Sequence, residues 1–220
     1  MSWVLANLPT IAGHLLAHLL QAVPAIIASF VLAIPIARLA RVARPLRAVL
    51  VTGSSLLYAV PSLALFVILP IILATGIRDP LNVIVALTLY GLALLVPATA
   101  DALDAVDARV LDAATAMGMG RLRCFLTVEL PLAGPAILTG LRVVTVSTIS
   151  LTTVGAVLGV RSLGWLFTDG FQRGITAEIV TGLVATAALA LVLDGLVLAL
   201  GRLCLPWTWK RAGDAGAVPA

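Results

Sequence analysis

Residues Asp112–Pro131 read DAATAMGMGRLRCFLTVELP, a charged, glycine-punctuated interruption between two almost wholly apolar segments. Gly118 and Gly120 permit a sharp reversal of the backbone, and Pro131 stands where a short helix from about Arg121 to Val128 is stopped before the next apolar run. Upstream, Leu103, Val106, Val110, Ala114 and Met117 recur at steps of three and four, while Asp101, Asp104, Ala108 and Asp112 fall on another face. That spacing predicts an amphipathic helix from Asp101 to Met117. The stretch is read as a helix-turn-helix elbow. A connector of about 30 residues greatly exceeds ordinary helix-to-helix links, and long ordered connectors usually serve a function.

What flanks the elbow decides the fold class. Hydrophobic residues make up 61% of the 220 and charged residues 11%, against about a quarter charged in soluble domains. The chain reads as an all-α integral membrane helical bundle. Runs long enough to cross a bilayer lie at about Leu15–Ala37, Ala48–Ala74, Leu81–Ala100, Ala133–Val157 and Ile179–Leu200, giving about five spans with the elbow between the third and fourth. Residues 1–14, with Asn7 and Pro9, read as a periplasmic or interfacial segment, residues 15–201 as the membrane domain, and residues 202–220 as a cytoplasmic, disordered tail. Trp207 and Trp209 suit an interfacial belt at the last exit.

The basic residues set the orientation. Arg38, Arg41, Arg44, Arg47, Arg109, Arg121, Arg123, Arg202, Lys210 and Arg211 fall on one side, against Arg78, Arg161 and Arg173 on the other. The positive-inside bias puts the N-terminus outside and the elbow and C-terminus in the cytoplasm. The net charge of +4 is thereby explained by topology, and no nucleic-acid partner is indicated. No Lys or Arg precedes the first apolar run, so that run is read as a retained span, not a cleaved signal. Cys124 and Cys204 both fall on the reducing face and are expected to be free thiols.

Within the elbow, Asp112-Ala113-Ala114, three residues, Gly118, nine residues, Val128, one residue and Leu130-Pro131 resemble the EAA motif of ATP-binding-cassette importer permeases, EAA-x3-G-x9-I-x-LP. The spacing is kept throughout. Asp112 stands for the glutamate, one methylene shorter, and Val128 for isoleucine. In that family the elbow is the coupling helix, which docks in a groove of a cytoplasmic ATPase. The resemblance implies a type I, MetI-like permease fold with these seven residues as the ATPase-coupling set. LLYAVPSLALFVILP (Leu56–Pro70) and the stretch from Gly140 to Phe167 are similar to permeases that import quaternary-amine osmoprotectants such as glycine betaine, carnitine and choline. The family's GAGGLG loop is here Gly159-Val160-Arg161-Ser162-Leu163-Gly164.

The residues themselves speak to energy supply and to a path. A phosphate-cradling loop needs a lysine after its glycines, and the sole lysine is Lys210, so the chain reads as a non-catalytic subunit fuelled by another polypeptide. Pro61 interrupts the second span as a kink or as part of a substrate path, with Ser62 beside it, and Tyr58 one turn earlier offers a ring face to a cationic amine. Thr145, Thr148, Thr152, Gly155 and Gly159 form a small-residue stripe suited to helix packing or, alternatively, to lining a pore, for which Ser147 and Ser150 on another face are equal candidates. Arg142 and Asp194 are intramembrane charges at similar depth, candidates for a pair across two helices. His14 and His18 are one turn apart but lack a third ligand, and Asp101, Asp104 and Asp107 read as a solvated face. No metal or other cofactor is expected.

The resemblance implies an assembly of a second permease copy or paralogue, two cytoplasmic ABC ATPase subunits and an extracytoplasmic substrate-binding protein that meets the loop from Val160 to Ile175, all in membrane lipid. Selectivity for the amine is then expected in an aromatic cage on the binding protein. A permease for methionine or another small solute, or a self-contained channel or ion-coupled carrier, are the alternatives.

Overall fold

A computed structural model of the chain describes residues 2–42 and 44–207. The order is α1 (Ser2–Ala6), α2 (Leu8–Val42), α3 (Arg44–Leu57), α4 (Ser62–Leu73), α5 (Pro80–Asp104), α6 (Ala108–Ala116), α7 (Arg121–Cys124), a π-helical turn (Phe125–Glu129), α8 (Leu130–Thr152), a 3-10 turn (Thr153–Leu158), α9 (Trp165–Arg173) and α10 (Thr176–Cys204). Among the described residues four helical stretches are long and apolar enough to cross a membrane, and α3 with α4 makes a fifth if the bent pair is one span.

The centre is α2 packed on α5. Ala22, Ala25, Ser29, Ala33, Ala37 and Ala40 are fully buried at steps of three and four along one face of α2. Small residues let two backbones approach where no hydrophobic effect drives association inside lipid. Contact is so close that a Cβ on Gly91 of α5 would sit 2.1 Å from Ser29 Oγ. The Ser29 hydroxyl donates to the Ala25 carbonyl at 2.7 Å and to the Thr88 carbonyl at 3.2 Å. On its other side α5 packs against α8, and α10 packs mainly on α8 and α9.

The second span departs from expectation. Ala48–Ala74 is not one kinked helix but two helices bent by 108°. Pro61 lacks an N–H and disfavours a helical Val60. Tyr58, Ala59 and Val60 therefore close tighter i→i+3 bonds onto Ser55, Leu56 and Leu57, and α4 restarts after Pro61. The Val60 carbonyl freed by the break accepts the Tyr90 hydroxyl at 2.6 Å, as backbone at membrane depth requires.

Two other boundaries differ. Helix α2 runs from Leu8 through residue 14 without a break, so residues 8–14 continue the first span's helix. Pro131 does not stop a helix either. Residues Arg121–Leu158 form one stretch of 38 residues, because a proline in the first turn of α8 needs no donor. The preceding π turn, in which the Leu130 N–H donates to the Phe125 carbonyl five residues back, absorbs the mismatch. The expected tail from residue 208 on, with Trp209, Lys210 and Arg211, lies outside the described residues.

Candidate functional site

The elbow is built from the ends of two long helices. Helix α5 continues through Asp101 and ends at Asp104; Asp107 then caps α6, its side chain accepting the Arg109 N–H at 2.9 Å. The break at residues 105–107 corrects the single amphipathic helix predicted from Asp101 to Met117. Leu103 and Ala114 are buried, but Val110 and Met117, on the far side of the break, are 42% and 72% exposed.

Helix α6 closes in a Schellman motif. The Gly118 N–H donates to the Thr115 carbonyl at 2.9 Å, and the Met119 N–H to the Ala114 carbonyl at 3.2 Å. Gly118 sits at φ +84° with nothing within 4 Å of a would-be Cβ, so the left-handed backbone alone demands glycine there. The spacing from Ala114 to Gly118 is thus the spacing of a helix end. Ala114 is buried, Asp112 and Ala113 are exposed, and Val128 and Leu130 are half-buried. Exposed Val110, Met117, Leu122 and Leu126 give the elbow an unpartnered apolar surface, with Asp112, Arg109, Arg121 and Arg123 exposed beside it.

A clamp holds the elbow to the bundle. Arg41 of α2 donates to the Leu103 carbonyl at 2.8 Å and pairs with Glu129 and, at 3.4 Å, with Asp104. Arg47 of α3 meets Asp104 at 2.5 Å. Asp104, read from sequence as part of a solvated face, is therefore engaged, joining α2, α3 and the end of α5. Beneath it Phe125 is buried with Leu103 and Ile137, and the Arg38 guanidinium lies 3.9 Å from the Phe125 ring centroid. At the cap of α6, the Arg109 guanidinium, and after it the Arg109 backbone N–H, hold Asp107 below the usual carboxylate range.

Deeper in the bundle Arg142 of α8 donates to Asp194 of α10 twice, Nε to Oδ1 at 2.8 Å and Nη2 to Oδ2 at 2.7 Å. This bidentate geometry is the strong form of the contact. Thr145, Thr148, Thr152 and Gly155 are buried, and a Cβ on Gly155 would meet Val83 of α5 at 3.1 Å. Gly159 is at φ +81°, beside Arg78. The opposite face of α8 is open: Leu132, Ala136, Thr139, Val143, Val146 and Ser150 are exposed, and Ser147 is half-buried. Tyr58, 47% exposed, sets its ring edge-on to Tyr90 at 5.9 Å. Pro61 is exposed and Ser62 half-buried at the break. Among the described residues no hydrogen bond joins this group to Ser147 or Ser150.

The profile of the binding-protein-dependent transport system inner membrane component family matches residues 25–209. The chain belongs to that family. This permease is 29% identical to the choline transport system permease protein OpuBD of Bacillus subtilis over 89% of this chain and 86% of that protein. It is 34% identical to the osmoprotectant import permease protein OsmY of Salmonella typhimurium over 67% of this chain and 61% of that protein. It is 33% identical to the ergothioneine transport permease/binding protein EgtU of Helicobacter pylori over 69% of this chain, yet spans only 27% of that longer protein. In fold it is similar to the methionine ABC transporter MetNI in an inward-facing form, with a TM-score of 0.77, 20% identity, and 88% and 95% of the two chains covered.

The histidines of the permease serve the loop between the 3-10 turn and α9. His14 stacks on Trp165 at 4.7 Å, and His18, fully buried, accepts the Leu163 N–H at 3.4 Å. Gln21 donates to the Arg161 carbonyl at 2.7 Å. A Cβ on Gly164 would lie 2.1 Å from the Thr153 carbonyl oxygen, so this glycine is required by contact. Sequence reasoning missed the clamp and the α2 stripe. Glu129, an acid inside an otherwise apolar stretch, pointed to the first, and the spacing of the alanines to the second.

Proposed function

We propose that this permease is the membrane subunit of an importer that moves glycine betaine or a related quaternary-amine osmoprotectant inward with ATP hydrolysed by a partner. The observation that carries the reading is the elbow: an exposed apolar face, set by a Schellman turn and clamped to three helices. Asp112, Ala113, Ala114, Gly118, Val128, Leu130 and Pro131 form the coupling set. Within it Ala114 and Gly118 shape the turn, while Asp112, together with the exposed Met117 outside the set, meets the ATPase. Residues 15–201 form the working domain, with the N-terminus outside and the C-terminus in the cytoplasm. Two copies, or the permease and a paralogue, enclose the path between their open faces, where α8 presents Ser147 and Ser150 and the α3–α4 break presents Tyr58, Pro61 and Ser62. An extracytoplasmic binding protein loads substrate at the loop anchored by His14, His18 and Gln21. Small-molecule choice follows the relatives that cover nearly the whole chain, one of which is named for choline.

The test is co-purification with the cognate ATPase followed by ATP-driven uptake into vesicles supplied with the binding protein. Labelled glycine betaine, choline, carnitine, ergothioneine and methionine are compared. Gly118→Asp and Met117→Glu are expected to lose the ATPase and all uptake, while Leu183→Ala on the exposed face of α10 is expected to keep both and serves as the control. Retained coupling in both elbow variants would sink the assignment, and uptake of methionine alone would move the substrate class.

A further inference from the structure

Two cavities follow one another along α2, the first enclosed by α2, α8 and the C-terminal end of α10, the second by α2, α7 and the elbow. One, of about 480 Å³, is apolar and is lined by Phe30, Ile34, Leu130, Leu138, Leu141 and Trp207 among others. The next, of about 590 Å³, is lined by Arg38, Arg41, Arg121 and Glu129, with Thr115 and Met119 of the elbow. Along α2, Ile27, Phe30, Ile34, Arg38 and Arg41 line the pair at steps of three and four, which is one helix face. The apolar cavity runs from Ile26 to Ile34 on α2 and from Leu130 to Leu141 on α8, about 12 to 16 Å at the helical rise. One leaflet of hydrocarbon is about 15 Å deep.

The charge in the second cavity is unbalanced. Arg41 is taken up by Glu129, Asp104 and a carbonyl. Arg38 rests on the Phe125 ring, and neither Arg38 nor Arg121 has a carboxylate partner among the described residues. An apolar slot one leaflet deep that ends at two uncompensated guanidiniums has the shape and charge of a phospholipid. We propose that an anionic phospholipid occupies this double site, one acyl chain in the apolar cavity and its phosphate on Arg38 and Arg121. Because Thr115 and Met119 line the headgroup cavity, the lipid ties the elbow to α2. The chain's own tail is the poorer occupant, since Lys210 and Arg211 outnumber its one acidic side chain, Asp214.

The experiment is native mass spectrometry of the full-length permease with its ATPase, exchanged into detergent holding equal phosphatidylglycerol and phosphatidylcholine of the same acyl chains. Wild type retains phosphatidylglycerol by preference. Arg38→Gln with Arg121→Gln weakens that preference about fivefold per arginine, whereas Arg38→Lys with Arg121→Lys keeps most of it. Ile34→Trp, which fills the slot, lowers retention of both lipids. Melting temperature and bound ATPase report folding in each variant. Wild-type preference in the double glutamine variant overturns the proposal. So does displacement of the lipid by inorganic phosphate alone, which would mark a free-anion site. A rise in lipid retention on deleting residues 208–220 would assign the slot to the tail, and loss of lipid only when two copies separate would assign it to their interface.

Discussion

At the scale of single residues, two glycines in this molecule are glycine for different reasons, and substitution separates them. Gly118 has open space around it but φ +84°, so Gly118→Ala pays only the left-handed backbone penalty, about 1–2 kcal/mol, and Gly118→Asn less. Gly91→Ala drives a Cβ to 2.1 Å from Ser29 Oγ and forces α2 off α5, costing about 1–3 kcal/mol or more. Thermal unfolding in detergent should therefore rank Gly118→Asn, Gly118→Ala and Gly91→Ala in rising order of damage, and the first two should melt in one transition. The Arg142–Asp194 contact calls for a cycle, not a single change. Arg142→Leu or Asp194→Leu alone strands the other charge in lipid. The double variant should melt above either single one, and strict additivity would show that the two charges do not depend on each other.

At the scale of elements, the elbow is two helix ends, each closed by its own chemistry. Its N-terminal end depends on the ionised Asp107 side chain. That carboxyl is held below its usual range by Arg109, so its contribution is complete above the ordinary carboxylate range. It is lost as pH falls through the depressed value. Hydrogen exchange over Ala108–Ala116, corrected for intrinsic rate, should accelerate on acidification in wild type. In Asp107→Asn, which keeps an acceptor, it should not. Both ends are tied to α2 by the clamp, through Leu103 and Asp104 on one side and Glu129 on the other. Arg41→Gln removes contacts to Glu129, Asp104 and Leu103 at once. It is expected to leave ATPase binding in place while lowering transport per ATP hydrolysed, because the elbow and α5 then move without dragging α2. Unchanged transport per ATP would show that motion passes along α8 alone.

At the scale of the whole molecule, the two thiols give a direct test of orientation: Cys204 is exposed and Cys124 buried. A membrane-impermeant maleimide should label Cys204 in inside-out vesicles and spare it in right-side-out ones, and the reverse pattern would invert the proposed topology. The sequence alone determined a great deal here. Hydrophobic runs, arginine asymmetry and the Asp112–Pro131 spacing are local properties of the chain, because lipid makes every span close its own backbone bonds. These patterns therefore carried the fold class, the order of the spans and the place of the elbow between the third and fourth, though not the break in the second span or the break at residues 105–107. The tertiary structure decided what depends on neighbours. Val60 breaks with Pro61 into a 108° bend because Tyr90 is there to take the freed carbonyl. Pro131 sits within a continuous helix because a π turn precedes it. Asp104 and Glu129 meet Arg41 and Arg47 because α2 and α5 touch through small side chains. Spacing along a helix predicts which face a residue occupies, whereas the partner on that face belongs to another helix, and only packing brings it there.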